Sequence, residues 1–256
     1  MDWSPGYREF APPAGLRDTL SCLWVGITPP GPAQTTLVLP DGAADLVWQQ
    51  GARSFLAGPD TGPVPSSAPG GMVTIGARFR PGAGGTVLGL PLSEVLDQQV
   101  ETADIPALRG RTPSADLPPC CALAALTSLI ADLAQRRPAD PAMTYAARLL
   151  GRPASRAEAV AGELELSERQ FRRRCQASVG YGPRTLQRVL RFRRFVSAVD
   201  AGPLPGGLAD AALAAGYADQ SHLTRECVRL SGLTPQALVR ARASSSSRPS
   251  SSAGAS

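Results

Sequence analysis

Four arginines, Arg169, Arg172, Arg173 and Arg174, fall within six positions of the stretch SERQFRRRCQASVGYGP, residues 167–183. A guanidinium is a planar fork of donors that matches a carboxylate, a phosphate or the O6/N7 edge of guanine. Which of these it meets depends on the side of the chain it occupies. Ser167 and Gln170 form a Ser-x-x-Gln capping box, which predicts a helix opening at this point. At about 100° per residue, Phe171, Cys175 and Ser178 lie within about 60° of one another and form a buried stripe. Arg169, Arg173 and Gln176 then point away from it, with Arg172 on one shoulder and Arg174 on the other.

The same pattern recurs 52 residues later. Ser167 aligns with Asp219, Phe171 with Leu223, Arg173 with Arg225, Cys175 with Cys227, Gly180 with Gly232 and Pro183 with Pro235. In this second copy Leu223, Cys227 and Leu230 face inward, while Ser221, Thr224, Arg225 and Val228 face out. A short helix with an apolar back and a front of Arg, Gln, Ser and Thr suits the major groove of DNA. Two of them joined by one long helix can enter successive groove segments about 34 Å apart. An ordinary solvated helix explains the charge but not the repeat.

The distribution of charge agrees. All 26 basic residues are arginine. Residues 1–151 hold 10 Arg against 13 acids, a net of −3, and residues 152–242 hold 15 against 8, a net of +7; Arg248 completes the +5 total. A basic half behind a mildly acidic one points to a polyanion as partner of the basic half. No secretory signal or membrane-spanning run is present, which predicts a cytoplasmic protein that does not enter a membrane.

The elements that position these residues read as α+β. Runs such as TTLVL, ADLVWQQ, SFLA and GMVTIGARF, bounded by Gly, Pro and Asp, predict strands joined by hairpins. LSEVLDQQV predicts a short helix. Leu123, Leu126, Ile130 and Leu133 predict a helix over 119–137, packed on the β half or against a second copy of the chain. PAMTYAARLL and SRAEAVAGEL, the latter from Ser155, predict two more helices, and Gly182-Pro183 opens a long one. The expected division is 1–118 as a mainly β sensor or dimerisation domain, 119–138 as a connecting helix, 139–242 as an all-α DNA-binding domain and 243–256 as a disordered tail.

LADAALAAGYADQSHLTRECVRLSGLTPQALVR carries an alanine-rich helix, Gly-aromatic, an Asp-led helix with Leu-x-Arg, then Gly-x-Thr-Pro. Residues 140–241 thereby resemble the double helix-turn-helix domain of AraC-type bacterial transcription regulators. The resemblance implies base contacts at Arg169, Arg172 and Arg173 in the first copy and at Gln220, Ser221 and Arg225 in the second. The helical wheel differs only at Gln220, which it sets nearer the buried flank. Arg174, Arg184, Arg188 and Arg229 are candidate phosphate contacts. The family usually has Phe where this chain has Cys175 and Cys227, which are expected as buried small hydrophobes.

LVLPDGAADLVWQ, GP and GARFRPGAG resemble an uncharacterised domain that precedes such DNA-binding domains, implying effector sensing or dimerisation on a cupin-like barrel. There Arg78 and Arg80 flank Phe79 and are expected to form a structural salt bridge or face solvent, with an anionic ligand as the alternative.

Other functions fit less well. The only histidine is His222, and a cupin metal centre or catalytic base in the β half has no histidine to use. A cysteine-liganded zinc site of the DNA-repair methyl-acceptor type needs four thiols, and that half offers Cys22, Cys120 and Cys121. No catalytic residue, cofactor or metal is therefore expected. The expected partners are double-stranded DNA, RNA polymerase, an unknown small-molecule effector and a second copy of the chain. The alternative is a non-specific, nucleoid-type DNA-binding protein or an anti-regulator.

Overall fold

The computed structural model describes residues 3–246. Among these residues the N-terminal half holds eight strands: β1 (Gly6–Phe10), β2 (Leu20–Ile27), β3 (Gln34–Val38), β4 (Asp45–Gln49), β5 (Ser54–Ala57), β6 (Val64–Ala68), β7 (Val73–Phe79) and β8 (Gln99–Glu101). Six of them form an antiparallel sheet in the order β1-β2-β7-β4-β5-β8, and β3 pairs with β6 in a separate two-stranded sheet. The sheet ends at β1 and β8 and does not close. The cupin-like barrel is therefore corrected to an open sheet, because β3 and β6 pair with each other instead of bridging its edges.

One face of this sheet is dry. Leu20, Leu46, Trp48, Ile75 and Phe79 are buried there, and helix α1 (Gly84–Leu88) and helix α2 (Pro119–Arg136) cover them. The α2 stripe of Leu126, Ile130 and Leu133 lies in this core, so it packs on its own β half and is not left for a second chain. The Pro-rich segment after β8 closes the sheet's end, where Ser114 O accepts from Trp48 Nε1 at 3.0 Å. LSEVLDQQV is not an α-helix: it forms a 3₁₀ turn at Leu92–Glu94 and then β8. Asp97 sits at φ 55°, outside any right-handed helix, and breaks the expected period.

The helical half follows as α3 (Pro141–Leu150), α4 (Ala157–Glu163), α5 (Glu168–Val179), α6 (Pro183–Asp200), α7 (Gly207–Ala215), α8 (Gln220–Ser231) and α9 (Pro235–Ser246). Helix α4 starts two residues later than Ser155 predicts, with Arg156 at its N-cap and no side-chain cap. Helix α9 reaches Ser246, so residues 243–246 of the expected tail are helical, and the rest of that tail lies outside the described residues. Phe171, Phe192, Phe195, Leu223 and Leu238 anchor one continuous core here.

The two halves meet closely. Leu39 and Leu96 of the β half pack into the helical core. At Gly85 of α1 an added Cβ would overlap the carbonyl oxygen of Ala177 in α5, so the two backbones touch where no side chain fits. Beside this contact Asp60 is partly buried near Asp97, Asp41 and Asp45, and desolvation followed by these like charges pushes its carboxyl up to about 7. Unfolded, it releases its proton near pH 4, whereas the folded state keeps it until about 7. The contribution of Asp60 to stability should thus fall as pH rises between these values and then level off. Asp60→Asn is expected to match the parent chain near pH 4 and to exceed it by about 1–2 kcal/mol at about pH 8, the full shift being reduced for partial solvent exposure. Urea titrations across this range would show it, and parallel curves for both proteins would refute it.

Candidate nucleic-acid interface

Helices α5 and α8 are the same device built twice. Each is twelve residues long, and their bounds differ by the 52 positions of the sequence repeat. Ser167 Oγ accepts from the backbone N–H of Gln170, and Gln170 Oε1 accepts in return from the Ser167 N–H, completing the capping box. At α8 the Asp219 carboxylate accepts from the His222 N–H at 2.6 Å. Both helices end on a left-handed glycine, Gly180 at φ 97° and Gly232 at φ 71°.

The buried stripes are those the sequence predicts: Phe171, Cys175 and Ser178 in α5, and Leu223, Cys227 and Leu230 in α8. Both cysteines are fully buried. Burial pushes the Cys175 thiol up to about 12 and also raises that of Cys227, which leaves both unreactive.

With the backs fixed, the fronts are exposed. Arg169, Arg172 and Arg173 stand out from α5, and Gln220, Ser221 and Arg225 from α8. Gln220 is exposed, not on the buried flank where the wheel sets it, because it opens the first turn of α8. The structure thus gathers the two triplets on two separate helices, with α6 running between them and α6 and α8 in contact. His222 packs edge-on to Tyr217, ring centroids 5.2 Å apart.

The four candidate phosphate contacts divide. Arg174 pairs with Asp140 at 2.6 Å, Arg184 with Glu158 at 3.2 Å, and Arg188 donates through two nitrogens to both oxygens of Glu226 at 2.7 and 3.2 Å. Arg229 is exposed in the last turn of α8. The Arg188–Glu226 fork ties α6 to α8. In the β half, Arg78 is bracketed by Asp45, Asp41 and Glu9 at 3.1–3.3 Å, so its partners are structural carboxylates.

Sequence reasoning missed Arg194. Its guanidinium donates to Ala215 O at 2.7 and 3.1 Å and also to Gly151 O, and so satisfies terminal carbonyls of α7 and α3 together. No motif marks such a residue, because both acceptors are backbone. Arg194→Met is expected to lower stability by about 1–3 kcal/mol through those orphaned carbonyls. A urea midpoint unchanged from the parent would mean that water replaces the guanidinium without loss.

Among the described residues no group of three or more His, Cys, Asp or Glu is placed to hold a metal ion, and no helix is long and apolar enough to cross a membrane.

Comparison with known proteins agrees with this geometry. Residues 160–241 match the family profile of a helix-turn-helix domain, and residues 8–101 match a domain of unknown function, DUF6597. No curated protein matches the chain. Among solved structures, ToxT from Vibrio cholerae is similar at 11% identity and a TM-score of 0.45, covering 85% of this chain and 97% of that one. Unsaturated fatty acid bound ToxT from the same organism is similar at 13% identity and a TM-score of 0.43, covering 87% and 96%. The chain therefore carries a helix-turn-helix domain behind a DUF6597 domain.

Proposed function

We propose that the protein is a sequence-specific DNA-binding transcription regulator of the AraC type, and not an enzyme. The observation that carries this reading is the duplicated helix, capped, backed and terminated alike at α5 and α8, with Arg169, Arg172, Arg173, Gln220, Ser221 and Arg225 exposed on the two fronts. These six are the base readers, each recognition helix addressing its own major-groove segment. Arg229 is the phosphate contact available without rearrangement. Arg174, Arg184 and Arg188 reach a phosphate only by exchanging their present carboxylates for it. Residues 1–118 act as the sensor or dimerisation half, 119–138 connect, and 139–242 read the DNA in the cytoplasm. RNA polymerase, an effector and a second copy of the chain are the partners that a regulator of this design uses.

Selection of genomic fragments with the purified full-length protein tests this, followed by anisotropy titration of the selected site against scrambled DNA. A motif spanning two groove segments, bound about 10³-fold or more tighter than bulk DNA at physiological salt, is the expected result. Steep salt dependence with no preferred site would replace it with a nucleoid-type, non-specific binder.

A further inference from the structure

A solvent-open cleft of about 1010 Å³ lies where the β half meets α3 and α6. Its floor is two helical stripes: Pro141, Tyr145 and Arg148 of α3, with Arg152 just beyond, and Leu190, Arg193, Arg194 and Ser197 of α6. The third wall is Asp18, Ser21, Arg80 and Pro81 of the β half. Five arginines thus converge from three elements on a cleft with one carboxylate, Asp18. Arg194 is committed to backbone carbonyls, and Arg80 donates to Arg17 O. Arg148 lies over the Tyr145 ring at 5.1 Å, and among the described residues Arg148, Arg152 and Arg193 have no carboxylate paired with them.

We propose that this cleft binds a small polyanion, a polycarboxylate or a phosphorylated metabolite, through Arg148, Arg152 and Arg193. Like charges held together in a concave surface repel one another and draw an anion of opposite sign. Arginines from separate elements match an anion with more than one acidic group, and a single carboxylate would leave two of them uncompensated. Leu190, Pro81 and Pro141 supply apolar wall for its carbon frame.

A DNA backbone is the weaker candidate. No residue of α5 or α8 lines the cleft. On α6 the cleft stripe is turned by about 130° from Arg184, which lines a second pocket with Arg172 of α5, and about 170° from Arg188, which is tied to Glu226 of α8, so it faces away from both exposed helices. Because the cleft is walled by both halves, its occupant bridges the sensor to the reading domain. That regulatory role rests on the function proposed above; the binding does not.

Calorimetry of the full-length protein, free of DNA and at matched ionic strength, tests it with citrate, pyrophosphate and acetate. Saturable one-to-one binding of citrate or pyrophosphate is expected, with none for acetate; which of the two binds assigns the acid as carboxylate or phosphoryl. The double variant Arg148→Gln/Arg193→Gln, altered only at exposed positions, should weaken it by at least about tenfold. Ser197→Glu keeps every arginine and adds a carboxylate to the cleft, and should weaken it comparably. Absence of saturable binding, or binding unchanged in both variants, would overturn the proposal. So would loss of bulk DNA affinity in the double variant together with displacement of the probe by duplex DNA, which would make backbone phosphate the occupant.

Discussion

Replacing Phe171 with alanine is expected to destabilise the protein by about 3–5 kcal/mol, the range for truncating a fully buried aromatic side chain. Phe171 is 1% exposed, at the point where the inner face of α5 meets the helical core, and α5 packs there on α3, α4 and α6. Cys175, the next residue on the same buried stripe, is too small to refill the space. Urea denaturation of the full-length chain measures the loss. A change below about 1 kcal/mol would mean that α5 is held by its contact with the β half and not by this stripe. The variant should also read its first groove segment less selectively than its second, since α8 has its own anchor in Leu223 and Leu230.

The second large effect concerns binding. Arg173→Ala and Arg225→Ala are each expected to cost about 1–3 kcal/mol at the selected site and to relax preference at one base pair. Both side chains are exposed, on different helices, so their effects should add. The double variant would then bind its operator about 30-fold to 10⁴-fold more weakly, while its affinity for scrambled DNA changes far less. Equal loss on operator and scrambled DNA would reassign both residues to the phosphate backbone.

The helical half was nearly complete in the sequence, because its punctuation is local. The capping box at Ser167, Asp219 at the N-cap, the glycines at 180 and 232 and the prolines at 183 and 235 each act within a few residues of their own helix. The β half was legible only where turn residues bracket an alternating run, as at β4, β5 and β7. Strands β1 and β2 escaped: β1 is short, and LSCLWVGI is a near-continuous apolar run that carries no period of two. Strand β6 contains Pro65 and takes its pairing from β3, about thirty residues earlier, so nothing near it announces a strand. The exposed faces of α5 and α8 followed from helical geometry except at Gln220, which the wheel sets nearer the buried flank and the structure exposes. The partners of Arg174, Arg184 and Arg188 did not, because Asp140, Glu158 and Glu226 lie 34, 26 and 38 residues away.

The contact at Gly85 bears on how such proteins can be recombined. The backbone of α1 rests on that of α5, Pro59 and Leu92 close over Gly180, and Leu39 and Leu96 reach into the helical core. The helical half is therefore not a cassette with a self-sufficient surface. Grafted behind a foreign N-terminal domain, it would leave an apolar scar beside α5, and a glycine-specific seam would face whatever side chain the new neighbour supplied. A working chimera would have to carry residues 39, 59, 85, 92 and 96 across with the helices, so the heritable unit is this seam together with the helix-turn-helix.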